Sequence, residues 1–458
     1  MPKAVSPTPG RLSRLLASAP TAVFVAYSVL AAFGAYFCMY AFRKPFAAAR
    51  FEGEFFAGGE LELKSAIVIS QVLGYALSKY AGIKVCSELP PRHHPAFLIL
   101  LIVWAEAALW GFAQSPGSFK VIAIFLNGLA LGMVWGLVVR FLEGRVTSEL
   151  LLAGLSASFI VSSGIVKDVG RAFMSGSAAS RWESVPGVGP WVAEALGPVS
   201  ESWMPAITGL HFLPFFILFV WMLAQIPGRT HTDEEQRHAR ESMDGRVRTD
   251  FLLAYLPGLV LLLLAYLLLT AYRDFRDNFS VELFGELGYP YVGNESIITQ
   301  AEVWVAVGVL VTLALLNALR RSRAGMIATF AVMAGGTALL AFSTLALEAG
   351  LISGFVWMTL IGFGSYLAYV PYGSMLFERL MANTSIVGTA VFGIYMADAV
   401  GYTGSVGMLL FKDLVATEMS RLEFFKLFTY WMAAVGTVCL IASCFYFLRR
   451  SEPQVGRT

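Results

Sequence analysis

Two short segments half a chain apart carry the residues best placed to do chemistry: Phe42-Arg43-Lys44-Pro45-Phe46 and Phe275-Arg276-Asp277-Asn278-Phe279. Each closes a long apolar run, and their arginines stand 233 residues apart in a chain of 458. An arginine in hydrocarbon costs at least about 2.5–3.5 kcal/mol on insertion scales, so it turns toward a polar interior. There its planar guanidinium can grip a phosphate or carboxylate through parallel hydrogen bonds. Two such groups at matching places in two half-chains predict a duplicated membrane protein with a positively charged central site.

The neighbours fit that chemistry. Tyr36 stands seven residues before Arg43, two helical turns back on one face, with Tyr40 and Lys44 close by. Tyrosine hydroxyls beside a guanidinium suit an oxyanion. The competing reading has Arg43 and Lys44 snorkelling toward headgroups; the apolar residues 45–49 that follow favour solute contact. Pro45 predicts a kink. Gln71, Tyr75 and Lys79 recur every four residues and share a face. Lys79 is read equally as a cavity group and as an anchor near the end of its span.

The second segment is more crowded. Arg273 and Asp277 are spaced as an i,i+4 pair, which leaves Arg276 freest to bind, while Asp274 could neutralise it across the bundle. Asp168 and Arg171 are spaced for an internal pair, beside Lys167. Tyr366, Tyr369 and Tyr372, near Gly362, Gly364 and Pro371, read as helix packing with some cavity lining. Asp398 is a lone carboxylate in an apolar helix, either a partner for one of the arginines, the favoured reading, or a proton carrier. Arg140, Glu143 and Arg145 mark a helix end and read as structural.

The elements that must position these residues are helices across a bilayer. Apolar residues make up 57% and charged residues 14% of the chain, against about 25% charged in soluble domains. Twelve apolar stretches, each long enough for a hydrocarbon core, fall at 21–48, 64–85, 96–114, 119–142, 149–174, 203–226, 252–276, 298–320, 325–347, 351–373, 384–411 and 425–449. They define a leader (1–20), a six-helix bundle (21–226), a polar central loop (227–251), a second six-helix bundle (252–449) and a tail (450–458). The leader, with Lys3, Arg11 and Arg14, runs into an apolar stretch too long for a signal-peptide core and reads as an uncleaved first span. Basic segments (the leader, Arg237, Arg240, Arg246 and Arg248, the Arg320, Arg321 and Arg323 cluster, Arg449 and Arg450) alternate with acidic ones (Glu52 to Glu62, Glu194 and Glu201, Glu282 to Glu295). The bias puts both termini and the central loop in the cytoplasm. An all-α membrane protein of two pseudo-symmetric six-helix bundles is the major facilitator architecture.

Other classes are disfavoured. A net charge of +2 suggests no nucleic-acid partner. Cys38, Cys86, Cys439 and Cys444 have no metal spacing; three lie in apolar runs and Cys86 in a short loop. His93 and His94 read as loop residues. No phosphate loop, dinucleotide fingerprint or nucleophile–base set is present, so no cofactor and no enzymatic role are expected.

At these residues the chain resembles the organophosphate:phosphate antiporter branch of the major facilitator superfamily. Tyr40-Ala41-Phe42-Arg43-Lys44-Pro45-Phe46 is similar to its tyrosine-rich first-helix ending. Gly74-Tyr75-Ala76-Leu77-Ser78-Lys79 is similar to its second-helix ending, and Gly132-Met133-Val134-Trp135 to its fourth-helix motif. Arg276 falls where that family has a second substrate arginine. The departures are Gly82 to Glu88, which lack the usual Gly-x-x-x-Asp-Arg pattern; a fifth helix without histidine from Leu150 to Ile165; and the extra charges Lys167 and Arg171. The resemblance implies that Arg43 and Arg276 clamp a phosphate group with Lys79 adding charge. The expected protein is a monomeric inner-membrane exchanger of a small organic anion, with inorganic phosphate as counter-substrate. Proton-coupled movement of a sugar or carboxylate through Asp398 or Asp168 is one alternative. A non-transporting sensor of a phosphorylated ligand, docking a partner at the central loop or at residues 320–323, is the other.

Overall fold

The first membrane helix, α1 (Thr21–Arg43), stops just short of Pro45, whose ring nitrogen cannot donate to the helix ladder. The chain continues as a 3-10 turn, Pro45–Ala48, so the helix ends at Arg43 rather than at 48. Its last carbonyls are satisfied from neighbouring helices. Gln71 Nε2 donates to the Arg43 carbonyl at 2.9 Å, and Asn127 Nδ2 donates to the Phe42 carbonyl at 3.0 Å. Gln71 also donates to Asn127 Oδ1 at 2.9 Å. Proline thus ends the helix and two buried amides fix where Arg43 sits.

The computed structural model describes residues 10–143, 145, 147–178, 197–229, 233, 245–319, 322–383 and 390–450. After α1 come α2 (Leu63–Glu88), α3 (His94–Gln114), a two-part α4 (Lys120–Leu131 and Val134–Leu142), α5 (Ser148–Met174) and α6 (Met204–Ala224). The second series is α7 (Gly245–Asn278), α8 (Ile297–Asn317), α9 (Ser322–Glu348), α10 (Gly354–Pro371), α11 (Ala390–Leu414) and α12 (Arg421–Arg450). Among the described residues ten helices are long and apolar enough to cross a membrane. The two beyond these, α2 and α11, have 26 and 25 residues and carry Lys79 and Asp398.

Several boundaries differ from those expected. α4 breaks at Gly132 and Met133, α7 begins at Gly245 rather than 252, and α10 passes through a π turn, Tyr372–Leu376, after Pro371. Cys86 lies in the last turn of α2 and not in a loop; His94 opens α3, and only His93 belongs to the preceding 3-10 turn. Lys3, Glu194, Arg237, Arg240, Arg320, Arg321, the central loop at 230–232 and 234–244, and the tail from 451 lie outside the described residues, as do the side chains of Cys86, Arg246 and Arg248.

Packing places the site. α1 lies against α5 and α6; α7 lies against α11 and α12; α9 lies against α10 and α12. α2 meets α4 so closely that a Cβ on Gly128 or Gly132 would collide with the carbonyl oxygens of Gln71 and Tyr75. Small residues at such a crossing let backbones touch. Among the described residues the first series meets the second most closely where α5 crosses α8 and α2 crosses α11.

Candidate functional site

The polar residues of the interior form two facing columns. In the first, the Arg43 guanidinium carbon lies 4.0 Å over the Tyr75 ring, and Lys79 Nζ lies 5.4 Å over the same ring. Tyr75 is therefore held between two cations, each gaining about 0.5–2 kcal/mol from the ring face. Tyr36 meets Tyr40 at 5.6 Å and Trp135 at 4.8 Å, both edge-on, behind Arg43. Arg43 is 7% exposed. Among the described residues it has no carboxylate partner, and its Nε makes no hydrogen bond. The helix therefore presents a desolvated guanidinium with unused donor capacity.

In the second column, the Arg273 guanidinium carbon lies 4.1 Å over the Tyr369 ring. Tyr369 stacks on Tyr266 at 5.2 Å, and the Tyr266 hydroxyl donates to Asp398 Oδ1 at 2.7 Å. Arg273 is paired with Asp274 at 2.7 Å, and Ser405 donates to the other Asp274 oxygen at 2.7 Å. Tyr366 reaches across the interface to Phe159 at 6.3 Å.

The columns are joined at two levels. At one, Lys79 Nζ lies 2.5 Å from Asp398 Oδ2, and Tyr75 meets Tyr402 edge-on at 5.7 Å. At the other, Asp277 takes Lys44 at 2.6 Å and Lys167 at 2.8 Å, and accepts from Ser163. Lys44 also donates to Asn278 at 3.0 Å, and Lys167 to Ser280 at 2.9 Å. Further links at this end join Lys64 to Glu282, Arg421 to Glu62, and Thr299 to Asp168, whose Oδ2 accepts from the Thr299 backbone and hydroxyl at 2.8 and 2.6 Å. All of these connect the first series of helices to the second.

The pairings differ from those the spacings suggested. Arg273 and Asp277 do not pair; Asp274 holds Arg273, and Asp277 holds the two lysines. Arg276 is not the freest arginine. Its Nη1 lies 2.7 Å from Glu302 and its Nη2 donates to the Met358 carbonyl at 2.9 Å. Gly362 makes room for it, since a Cβ there would collide with the guanidinium. Neither Arg43 nor Lys44 snorkels, since both are buried. Asp168 pairs with Arg171 at 3.3 Å, as its spacing favoured, and Arg140 with Glu143 at 2.8 Å; Asp398 pairs with a lysine, Lys79, where an arginine was expected.

The arginine that matches Arg43 in surroundings is Arg273. Tyr266 precedes it by seven residues, as Tyr36 precedes Arg43, and the two arginines are 230 residues apart. Tyr266, Tyr402, Glu302 and Asn127 were not singled out in the sequence. Two carried a signal: Tyr266 stands two turns before Arg273, and Tyr402 one turn after Asp398. Across both columns and the Asp277 level there are six cations (Arg43, Lys44, Lys79, Lys167, Arg273, Arg276) and four carboxylates (Asp274, Asp277, Glu302, Asp398). Among these ten described side chains the cations exceed the carboxylates by two.

Solved structures share this architecture. A D-xylose–proton symporter aligns with 95% of this chain and 99% of its own at 13% identity and a TM-score of 0.60. A bacterial homologue of the human lysosomal transporter Spinster, inward-facing and occupied, aligns over 94% and 99% at 11% identity and 0.58. The xylose transporter XylE from E. coli, inward open, aligns over 95% and 97% at 10% identity and 0.56. The fold is thus of the major facilitator type, and the chain is a multi-pass membrane protein. No curated protein matches it in sequence. Residues 45–185 and 183–450 match the family described as "Family of unknown function (DUF5690)", and the chain belongs to that family.

Proposed function

We propose that the protein is a secondary transporter that moves a small organic anion, phosphate-bearing, by alternating access. The observation that carries this is the excess of two cations among these side chains, with Arg43 as the buried member that has no carboxylate partner among the described residues. A phosphate monoester brings close to two negative charges and three acceptor oxygens, which matches the excess. Arg43 supplies the unused fork, Lys79 and Arg273 supply flanking charge, and Tyr36, Tyr40, Tyr75 and Tyr369 supply hydroxyls and ring faces. Lys44 and Arg276 act from behind, through Asp277 and Glu302.

Transport then follows from electrostatics. The polar links around Asp277, Glu282, Asp168 and Glu62 close the end of the bundle where α1 and α7 terminate. Binding a solute anion changes the charge between the columns and so shifts the relative stability of the two closures, which is the requirement for ligand-driven alternation. With the halves divided at 227–251 and the termini cytoplasmic, the closed end is the outer one. Inorganic phosphate is the proposed counter-substrate, and the inner membrane the proposed location.

The test is exchange of labelled phosphate against external phosphate or a hexose 6-phosphate in proteoliposomes. Exchange that disappears in Arg43→Ala supports the reading. Undiminished exchange in that variant excludes it. Ligand binding without flux would instead identify a sensor.

Glu106 favours a second reading, proton-coupled movement of a neutral or carboxylated solute. It is buried in α3; Oε1 accepts from Trp110 at 2.9 Å, while Oε2 has no partner and faces Gly209 of α6. A buried carboxyl without a cation is a candidate proton carrier. Asp398 and Asp168 are both ion-paired. Uptake that stops on dissipating the proton gradient, and in Glu106→Gln, would establish this mode over exchange.

A further inference from the structure

The Lys79–Asp398 pair has a property that the other links between the columns lack. It lies within the tyrosine-lined site itself and not at the closed end. Both side chains are 17% exposed, between the buried and the wetted. Lys79 Nζ lies over two rings, Tyr75 at 5.4 Å and Tyr402 at 5.2 Å, one from each half. Asp398 is held on its other oxygen by Tyr266. The site thus contains a negative charge of its own, on a helix of the half opposite the lysine.

That charge bears on what the unloaded protein can do. When an empty site holds only cations, bringing the halves together buries like charges without a partner, which is costly. Solute must then be aboard at every crossing, and the carrier exchanges but does not release solute in net terms. We infer that Asp398 is a tethered counter-ion: in the empty carrier it takes the place at Lys79 that the solute's anionic group takes in the loaded one. The empty carrier then closes over two uncompensated charges instead of three, which eases its return. The Tyr266 hydroxyl keeps a hydrogen bond on the displaced carboxylate while solute is bound, so displacement does not strand a bare charge. The protein is a net transporter as well as an exchanger.

This rests on the anion reading above, and it competes with one other role for the same residue. If Asp398 accepts hydroxyls of the solute, removing its charge weakens binding. If it competes with the solute for Lys79, removing its charge strengthens binding. The sign decides.

The experiment uses full-length protein in proteoliposomes loaded with labelled inorganic phosphate, with the membrane potential clamped. Exchange is read with phosphate outside, and net efflux with none outside. Wild type is expected to show both. In Asp398→Asn the ratio of net efflux to exchange is expected to fall about tenfold or more, equivalent to a barrier rise of about 1.4 kcal/mol for the empty return. Phosphate affinity, read by calorimetry in detergent, is expected to tighten several-fold. Asp398→Glu, which keeps the charge, is expected to restore the ratio and serves if the asparagine variant does not fold. An unchanged ratio in Asp398→Asn, or weaker phosphate binding, overturns the inference. Wild type that exchanges phosphate but shows no net efflux overturns it and leaves the exchange reading standing. Wild type that neither binds nor exchanges overturns both.

Discussion

The ends of α1 and α7 place the same group in the same setting and then treat its charge differently. Arg43 and Arg273 each follow a tyrosine by seven residues, and each guanidinium lies over a tyrosine ring, at 4.0 and 4.1 Å. The next residue is Lys44 in one case and Asp274 in the other. Lys44 turns away to Asp277, so Arg43 keeps its full charge; Asp274 turns onto Arg273 and cancels most of it. The duplicated halves thus share geometry while dividing the electrostatics. In the proposed mechanism the first half attracts the solute's charge, and the second half supplies rings, hydroxyls and the counter-ion Asp398.

This asymmetry can be broken at several points. Arg43→Ala should abolish phosphate exchange, a loss of roughly 100-fold or more for a buried charged contact made directly to the solute, while the melting temperature in detergent stays near that of wild type, because no carboxylate is orphaned. Arg273→Ala should instead fail as a fold, losing about 3–5 kcal/mol by leaving Asp274 charged without its cation and held only by Ser405; Arg273→Ala with Asp274→Ala should recover most of that stability in the same melt. Equal melting of the two single variants would end the comparison. Lys44→Ala should cost less, about 1–3 kcal/mol, because Asp277 keeps Lys167, Ser163 and its share of the network. Smallest is Asn127→Ala, about 1–2 kcal/mol for the Phe42 carbonyl and the Gln71 amide hydrogen it leaves without this partner; it should raise KM for phosphate by loosening Arg43 without removing it.

The helical, membrane-spanning character was legible because twenty-residue apolar runs have few other uses. That Tyr36 and Arg43 share a face was legible from their spacing, whereas Pro45 reads as a kink in a span running to 48 and instead ends the helix at Arg43. What the second segment does was not legible. Arg273 and Arg276 are one turn apart and identical in type; that Arg273 lies over Tyr369 while Arg276 is held by Glu302 on α8 rests on contacts that no local spacing encodes. Asp277 could serve Arg273 by i,i+4 spacing, yet two lysines from α1 and α5 claim it. Long-range partners outbid local ones here because each lysine is buried and has no water to fall back on. Tyr266 and Tyr402 were hidden by composition, since a tyrosine inside an apolar run reads as bulk until its hydroxyl is seen to have a partner.

The glycine crossing of α2 with α4 has a consequence for selectivity. Backbone rests on backbone there, and Gln71 and Asn127 tie both helices to the end of α1. Arg43, Tyr75 and Lys79 therefore travel as one rigid jaw, with no soft element between them to lengthen or shorten it. A caliper with stiff jaws sorts objects by length. Between two solutes with the same phosphate group, the proposed transporter should prefer the one whose far end reaches the opposite column, since this jaw cannot stretch to favour a shorter one.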